Sequence, residues 1–202
     1  MKNFPKAGLL IITLVTPALI FVFLTYFGTN HYVLPYYNPQ INSNGEVIIE
    51  NGDTLFRKIS EVKLKSAKKN VENRITVISY IPKDCTDSCL LMFAQLERIN
   101  NLAADIPDLV VLSLTEDTKV SLIHSGELGT GKWHELQTSE ADAKSAMHEQ
   151  LGLPAENFEN MLVLIDKKGF TRGFYNGADS EDADRLMAEI KILQYEDKNS
   201  TH

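Results

Sequence analysis

The chain has 202 residues and carries 20 Lys and Arg against 27 Asp and Glu, a formal net charge of −7. That balance excludes a broad nucleic-acid-binding surface, which would need clustered positive charge. Length and ordinary apolar and charged fractions fit one globular domain with additions. The acidic residues are spread along the chain and read as a solvated surface rather than a binding tail.

Lys2 and Lys6 fall in a short segment, 1–6, ahead of a stretch without charge, 7–27. A bilayer span needs about 20 apolar residues, so 7–27 is long enough to be a transmembrane anchor. Pro17 is tolerated better in such a helix than in a soluble one. Tyr26, Tyr32, Tyr36 and Tyr37 cluster at its far end as an interfacial belt would. Gly28-Thr29-Asn30-His31-Tyr32 lacks the small-x-small pattern of a signal-peptide cleavage site, so the anchor is expected to persist. Positive charge before the span predicts a cytoplasmic N-terminus and an exported C-terminal part, periplasmic or equivalent, on a single-pass membrane protein.

Residues 28–45, rich in Asn, Pro, Tyr and Gly, read as a linker, and the folded part is expected over 46–195. Val47-Ile48-Ile49 followed by Asn51-Gly52-Asp53 is a short β run with a strong turn signal. Residues 54–73 show no clear period and read as a short strand or helix followed by a loop. Ile75 to Ile81 reads as a buried strand. After Pro82-Lys83-Asp84, apolar residues at Leu90, Leu91, Phe93, Ala94, Leu96, Ile99 and Leu102 have helical spacing over 86–104. Leu109 to Leu114 is a second buried strand. Strand, helix and strand in this order imply a parallel βαβ unit.

A polar segment holding Asp117, His124, Trp133 and His134 follows. Residues 139–151 read as a helix with Ser139 as N-cap. Met161 to Asp166 is a third strand, Lys168-Gly169 a turn, and Thr171 to Tyr175 a fourth strand paired back as a hairpin. Ser180 is expected to cap a last amphipathic helix with Leu186, Ile190 and Leu193 on one face. Residues 196–202 read as a polar, frayed tail. Gly129-Thr130-Gly131-Lys132 lacks the spacing and the strand-to-helix setting of a phosphate loop.

Cys85 and Cys89 are the only cysteines. Spaced i, i+4 at the start of a helix, their Cα atoms would lie about 6 Å apart, within disulfide range. Two sulfurs on one turn can close a disulfide or hold a soft metal ion such as copper(I). The helix N-terminus favours a thiolate, while Asp84 and Asp87 oppose one. Cys85, nearer the loop, is the expected nucleophile, and Cys89 the resolving thiol. A disulfide closing so short a loop stabilises little, which argues against a purely structural role. For copper, His124 and His134 could add imidazole and Met92 a thioether. Met92, on an apolar helical run, reads first as core.

The element order, with a cysteine pair at the helix after a central strand, resembles a thioredoxin-like fold: an α/β fold with a central mixed sheet flanked by helices. The three-residue spacing in Cys85-Thr86-Asp87-Ser88-Cys89, the N-terminal anchor and the Ile165-Asp166-Lys167-Lys168-Gly169 hairpin look like the Sco/SenC family. These are membrane-tethered thioredoxin-like proteins that assist copper-site assembly in cytochrome c oxidase. The resemblance implies Cys85 and Cys89 as redox or copper-binding residues. It also implies copper as the candidate metal and, as partner, an oxidase subunit with copper-site cysteines. Three features depart from the family. Leu90 stands where a Pro usually follows the second cysteine. Thr115-Glu116-Asp117 replaces an Asp-Pro-x-x-Asp stretch. The family's histidine, about eight residues before Asp166, is absent: Phe158 stands there, between Asn157 and Glu159. The missing histidine favours thiol–disulfide chemistry over copper carriage; a non-catalytic interaction module is the third alternative.

Overall fold

The computed structural model describes residues 13, 15–23, 34–116, 132–154 and 158–199. The chain divides into two compact units, Met1–Val33 and Leu34–His202. In the first, residues 15–23 are helical, and Leu19, Ile20, Phe21, Val22 and Phe23 are exposed. Among the described residues no helix is long and apolar enough to cross a membrane. Much of the expected 7–27 span lies outside them.

The second unit is built on one five-stranded sheet of order β7-β6-β5-β8-β9. Its strands are β5 (Ile75–Ile81), β6 (Leu109–Thr115), β7 (Trp133–Gln137), β8 (Met161–Ile165) and β9 (Thr171–Asn176). β5 and β6 run parallel with Ile75 opposite Leu109 and Ile81 opposite Thr115. β7 continues the parallel set beside β6. β8 runs antiparallel to β5, and β9 antiparallel to β8. Every residue of β5 and β6 is buried, as strands covered on both faces must be.

Helix α1 (Asp87–Asn101) supplies the β5-to-β6 crossover and ends in a 3₁₀ turn, Leu102–Ala104. Its Cys89, Met92, Phe93, Leu96 and Ile99 join Val77, Ile81 and Val111 of the sheet, and Leu186, Ile190 and Leu193 of α3 (Ser180–Asn199), in one core. The opposite face packs Ile78, Tyr80, Leu112 and Val163 against Ala143, Ala146 and Met147. These come from α2 (Glu140–Ser145) and the π-helical turn Ala146–Gln150 that continues it. Ser139 caps α2 as expected, its Oγ accepting from the Asp142 N–H at 3.3 Å.

Two small hairpins precede the sheet: β1 (Ile49–Glu50) with β2 (Asp53–Thr54), and β3 (Glu61–Lys63) with β4 (Lys68–Asn70). Asn51 and Gly52 take φ of 53° and 92°, the left-handed pair that a tight hairpin turn requires. Residues 54–73, which carry no periodic signal, thus contain a second hairpin.

Several expectations are corrected. The 28–45 segment is not all linker: the second unit begins at Leu34. Tyr36 packs tilted against Phe56 and edge-on against Phe170, and Tyr37 meets Phe174 edge-on, so these two tyrosines belong to the domain surface. The polar segment after β6 holds the strand β7. The tail is not frayed from 196, because α3 runs through to Asn199. There Asp197 pairs with Lys167, and Glu196 approaches Arg172. Ser180 lies within that helix, and Asp179 caps it by accepting from the Glu181 N–H at 2.9 Å.

Candidate functional site

β5 delivers the chain to the site. Beyond Ile81 the chain turns out of the sheet, with Lys83 and Asp84 exposed. Glu116, just past β6, gathers this loop. Its Oε2 accepts from the Lys83 N–H at 3.3 Å, and its Oε1 from the Glu140 N–H at 2.9 Å. The buried Tyr80 hydroxyl bonds the same carboxylate. Burial first, then the charges of Glu116, Glu140 and Glu159, push that hydroxyl well above the ordinary tyrosine range. It therefore stays a donor, and Glu116 ties the end of β5, the cysteine loop and the start of α2 together.

Thr86 is the N-cap residue of α1, with extended backbone (φ −82°, ψ 177°) and no side-chain cap. Its Oγ1 instead pairs with the Ser88 Oγ at 3.0 Å, and that Oγ accepts from the Asn160 Nδ2 at 3.1 Å. Cys85 and Cys89 are joined in a disulfide with Cα atoms 5.3 Å apart. Cys89, in the first turn, is 1% exposed. Cys85, ahead of the helix, is half-buried and packs at the rim of the same core. One residue of the pair is thus partly exposed and the other is not. A nucleophile formed at Cys85 would feel the positive end of the α1 dipole, opposed by Asp87 in the first turn.

Of the other residues considered for metal binding, Met92 follows Cys89 by about one turn of α1, and His134 lies elsewhere on the sheet. Met92 is fully buried in the α1 core. His134 pairs with Leu112 on β7, two strands from β5 and level with Ile78 rather than with the end of that strand. Its pKa is lowered by burial first, then by Lys69 and Arg74. His148 lies on the π-helical turn of the opposite face. Its Nδ1 lies 2.9 Å from the Leu153 carbonyl, and its Nε2 has no partner among the described residues. Its ring meets that of Phe158 edge-on at 6.2 Å. Phe158 itself is buried against Tyr80, with ring centroids 4.8 Å apart. The position where the resemblance implies a histidine is therefore core. His124 and Asp117 lie outside the described residues, as do Asn157 and most of the Gly129–Lys132 segment. Lys132, which is described, donates to the Ala103 carbonyl at 2.7 Å. Among the described residues no group of three or more His, Cys, Asp or Glu side chains could hold a metal ion. A copper site with an imidazole ligand does not fit them.

Sequence reasoning passed over Asn160 and gave Glu116 no role. The signal for Asn160 was available. A lone Asn just before a buried strand is a residue that tolerates left-handed backbone, and Asn160 has φ 59°.

This architecture defines a thioredoxin-like α/β protein with a cysteine pair at the head of the crossover helix. Among solved structures it is similar to a SCO1/SenC family lipoprotein from Bacillus anthracis, with a TM-score of 0.50 and 18% identity over 66% of this chain and 92% of that one. It is likewise similar to BsSco, a member of the Sco family of cytochrome c oxidase assembly proteins in which a disulfide switch is described. There the TM-score is 0.52, with 14% identity over 80% of this chain and 96% of that one. At such identities the likeness is one of fold. No family model matches the sequence, and no curated protein does so.

Proposed function

We propose that this chain is a Sco-like thiol–disulfide protein, anchored in a membrane through residues 7–27 with its domain in an exported, oxidising space. Its client would be a protein bearing a cysteine pair, and the copper-site cysteines of an oxidase subunit suit the reading. The carrying observation is the asymmetry of the disulfide: Cys85 at the rim, Cys89 sealed beneath it. The Sco-like fold and the charge pattern ahead of the apolar stretch support the rest. A tether would keep the domain near a membrane-bound client and raise its effective concentration.

In the reduced protein, the Cys85 thiolate attacks a client disulfide. The client's sulfur–sulfur bond breaks, and one client thiolate leaves. Cys89 then loses its proton and attacks the Cys85 sulfur. The intramolecular disulfide re-forms and the second client thiolate departs. The client gains two electrons and the protein's dithiol is oxidised.

Two sulfurs within one turn also favour a second reading, a carrier of copper(I) as cargo, since thiolates suit that soft ion. One variant pair separates the readings. Cys89→Ser should accumulate a mixed disulfide through Cys85 that resolves at least about 100-fold more slowly than in wild type, and Cys85→Ser should form none. Mass spectrometry of the trapped species reads this out. Stoichiometric copper(I) binding by the reduced wild-type protein, lost in Cys85→Ser and without any disulfide turnover, would establish the carrier instead. Wild-type behaviour with both cysteines replaced would leave only an interaction module.

A further inference from the structure

We propose that Asn160 is a positioning residue for the cysteine loop, holding Ser88 and, through it, Thr86, two of the three residues between the cysteines. The inference rests on the thiol–disulfide reading and goes beyond it.

Asn160 is itself fixed from behind. Its backbone is left-handed, with φ 59°, and its carbonyl accepts from the Gly177 N–H at 2.6 Å. Gly177 sits so tightly there that a Cβ would meet the Met92 side chain at 2.6 Å and the Leu162 side chain at 3.0 Å. The turn after β9, the start of β8 and the buried side of α1 therefore share one packed contact. From this support the Asn160 carboxamide reaches across and donates to the Ser88 Oγ at 3.1 Å. Ser88 passes the hold to Thr86 at 3.0 Å.

The hold adds to two others near the helix start, the Leu90 N–H donating to the Thr86 carbonyl at 3.0 Å and the Lys83 N–H donating to Glu116 at 3.3 Å. Thr86 makes no side-chain cap, and Cys85 precedes the helix, so it is outside the helical hydrogen bonds. When the disulfide opens, Cys85 loses its link to the buried Cys89. Within this cysteine segment, one side-chain restraint that remains is the path from Asn160 through Ser88 to Thr86. Keeping Thr86 in place keeps the Cys85 sulfur above Cys89, which raises the local concentration of the resolving thiol. The reaction that depends on it is ring closure. Against glutathione, the protein dithiol and one glutathione disulfide give the protein disulfide and two glutathione thiols. One intramolecular sulfur–sulfur bond forms, one in glutathione disulfide breaks, and two electrons pass to glutathione.

The experiment measures that equilibrium constant on the full chain. Asn160→Gly removes the carboxamide while permitting the left-handed backbone, and Ser88→Ala removes the acceptor from the other side. Each should lower the closure constant about 3- to 10-fold, the range of one net hydrogen bond. The double variant should fall no further than the larger single change, because both remove the same bond. Unchanged constants in both variants, or additive losses, would overturn the proposal. A drop in thermal stability that is equal for the oxidised and reduced forms would mark Asn160 as merely structural. If the wild-type disulfide itself does not exchange with glutathione, the thiol–disulfide reading fails. If wild type exchanges and the variants match it, the reading stands and the positioning role falls.

Discussion

A guanidinium buried among apolar side chains persists only when its donors are used, and Arg172 meets that condition. It is 2% exposed. Its Nε donates to the Pro35 carbonyl at 3.1 Å, its Nη1 to Asp166 Oδ2 at 2.8 Å and its Nη2 to the Leu34 carbonyl at 2.6 Å. The Tyr36 ring lies 4.1 Å from the guanidinium carbon. Asp166 is equally committed, its Oδ1 accepting from the N–H groups of Lys168 and Phe170 at 3.0 and 2.9 Å. The aspartate that marks the last hairpin in the sequence therefore serves two tasks, shaping a turn and neutralising a buried charge. Removing one partner strands the other. Asp166→Ala should lower unfolding stability by about 3–5 kcal/mol, read from urea denaturation. Replacing Arg172 and Asp166 together by apolar residues should cost less than Asp166→Ala alone. At this scale the sequence told much about the cysteines, because spacing and helix phase suffice to pair two sulfurs. For Asn160 it offered a hint of left-handed backbone but not the bond to Ser88, which is remote in the chain and close only once the sheet has assembled.

Among the elements, those with strong apolar runs were legible: β5, β6, β8 and α1 lie where periodicity puts them. β7 was not, because Trp133 to Gln137 mixes polar and apolar residues and all five are at least partly exposed. Only pairing with β6 makes it a strand. Trp133 nonetheless packs inward, its ring 5.0 Å from that of Phe93 and its Nε1 donating to the Ser113 Oγ at 2.9 Å. The strand also sets a pH dependence through His134. Burial, Lys69 and Arg74 all disfavour its charged form, so its folded pKa lies below the ordinary 6.5. The unfolded chain then binds more protons in the window below 6.5. Stability is fully present above that value and is lost as pH falls towards the folded pKa. His134→Gln should flatten the decline between about pH 7 and pH 5, measured as urea midpoints across that range.

At the scale of the whole molecule, the fold class follows from element order, but the limits of the domain do not. Tyr, Pro and Asn made residues 34–45 look like linker. In the structure, the aromatic rings of that stretch lie on the domain and its carbonyls satisfy Arg172. Composition cannot reveal this, because it depends on a charge far along the chain. A domain beginning at Leu34 should therefore keep the stability of the longer chain. One beginning at Glu46 should lose at least about 2 kcal/mol, because Arg172 then forfeits two buried acceptors. Comparing the two by denaturant melts checks the boundary.

Leu34 shares a core cluster with Ile75, where β5 starts, and with Leu193; its carbonyl accepts from Arg172 and its N–H donates to Glu196. The sulfurs sit past Ile81, where the same strand stops. Seven residues of strand at about 3.3 Å each separate the two ends of β5 by about 20 Å. The residue that opens this unit and the disulfide that serves its chemistry thus belong to opposite ends of one strand.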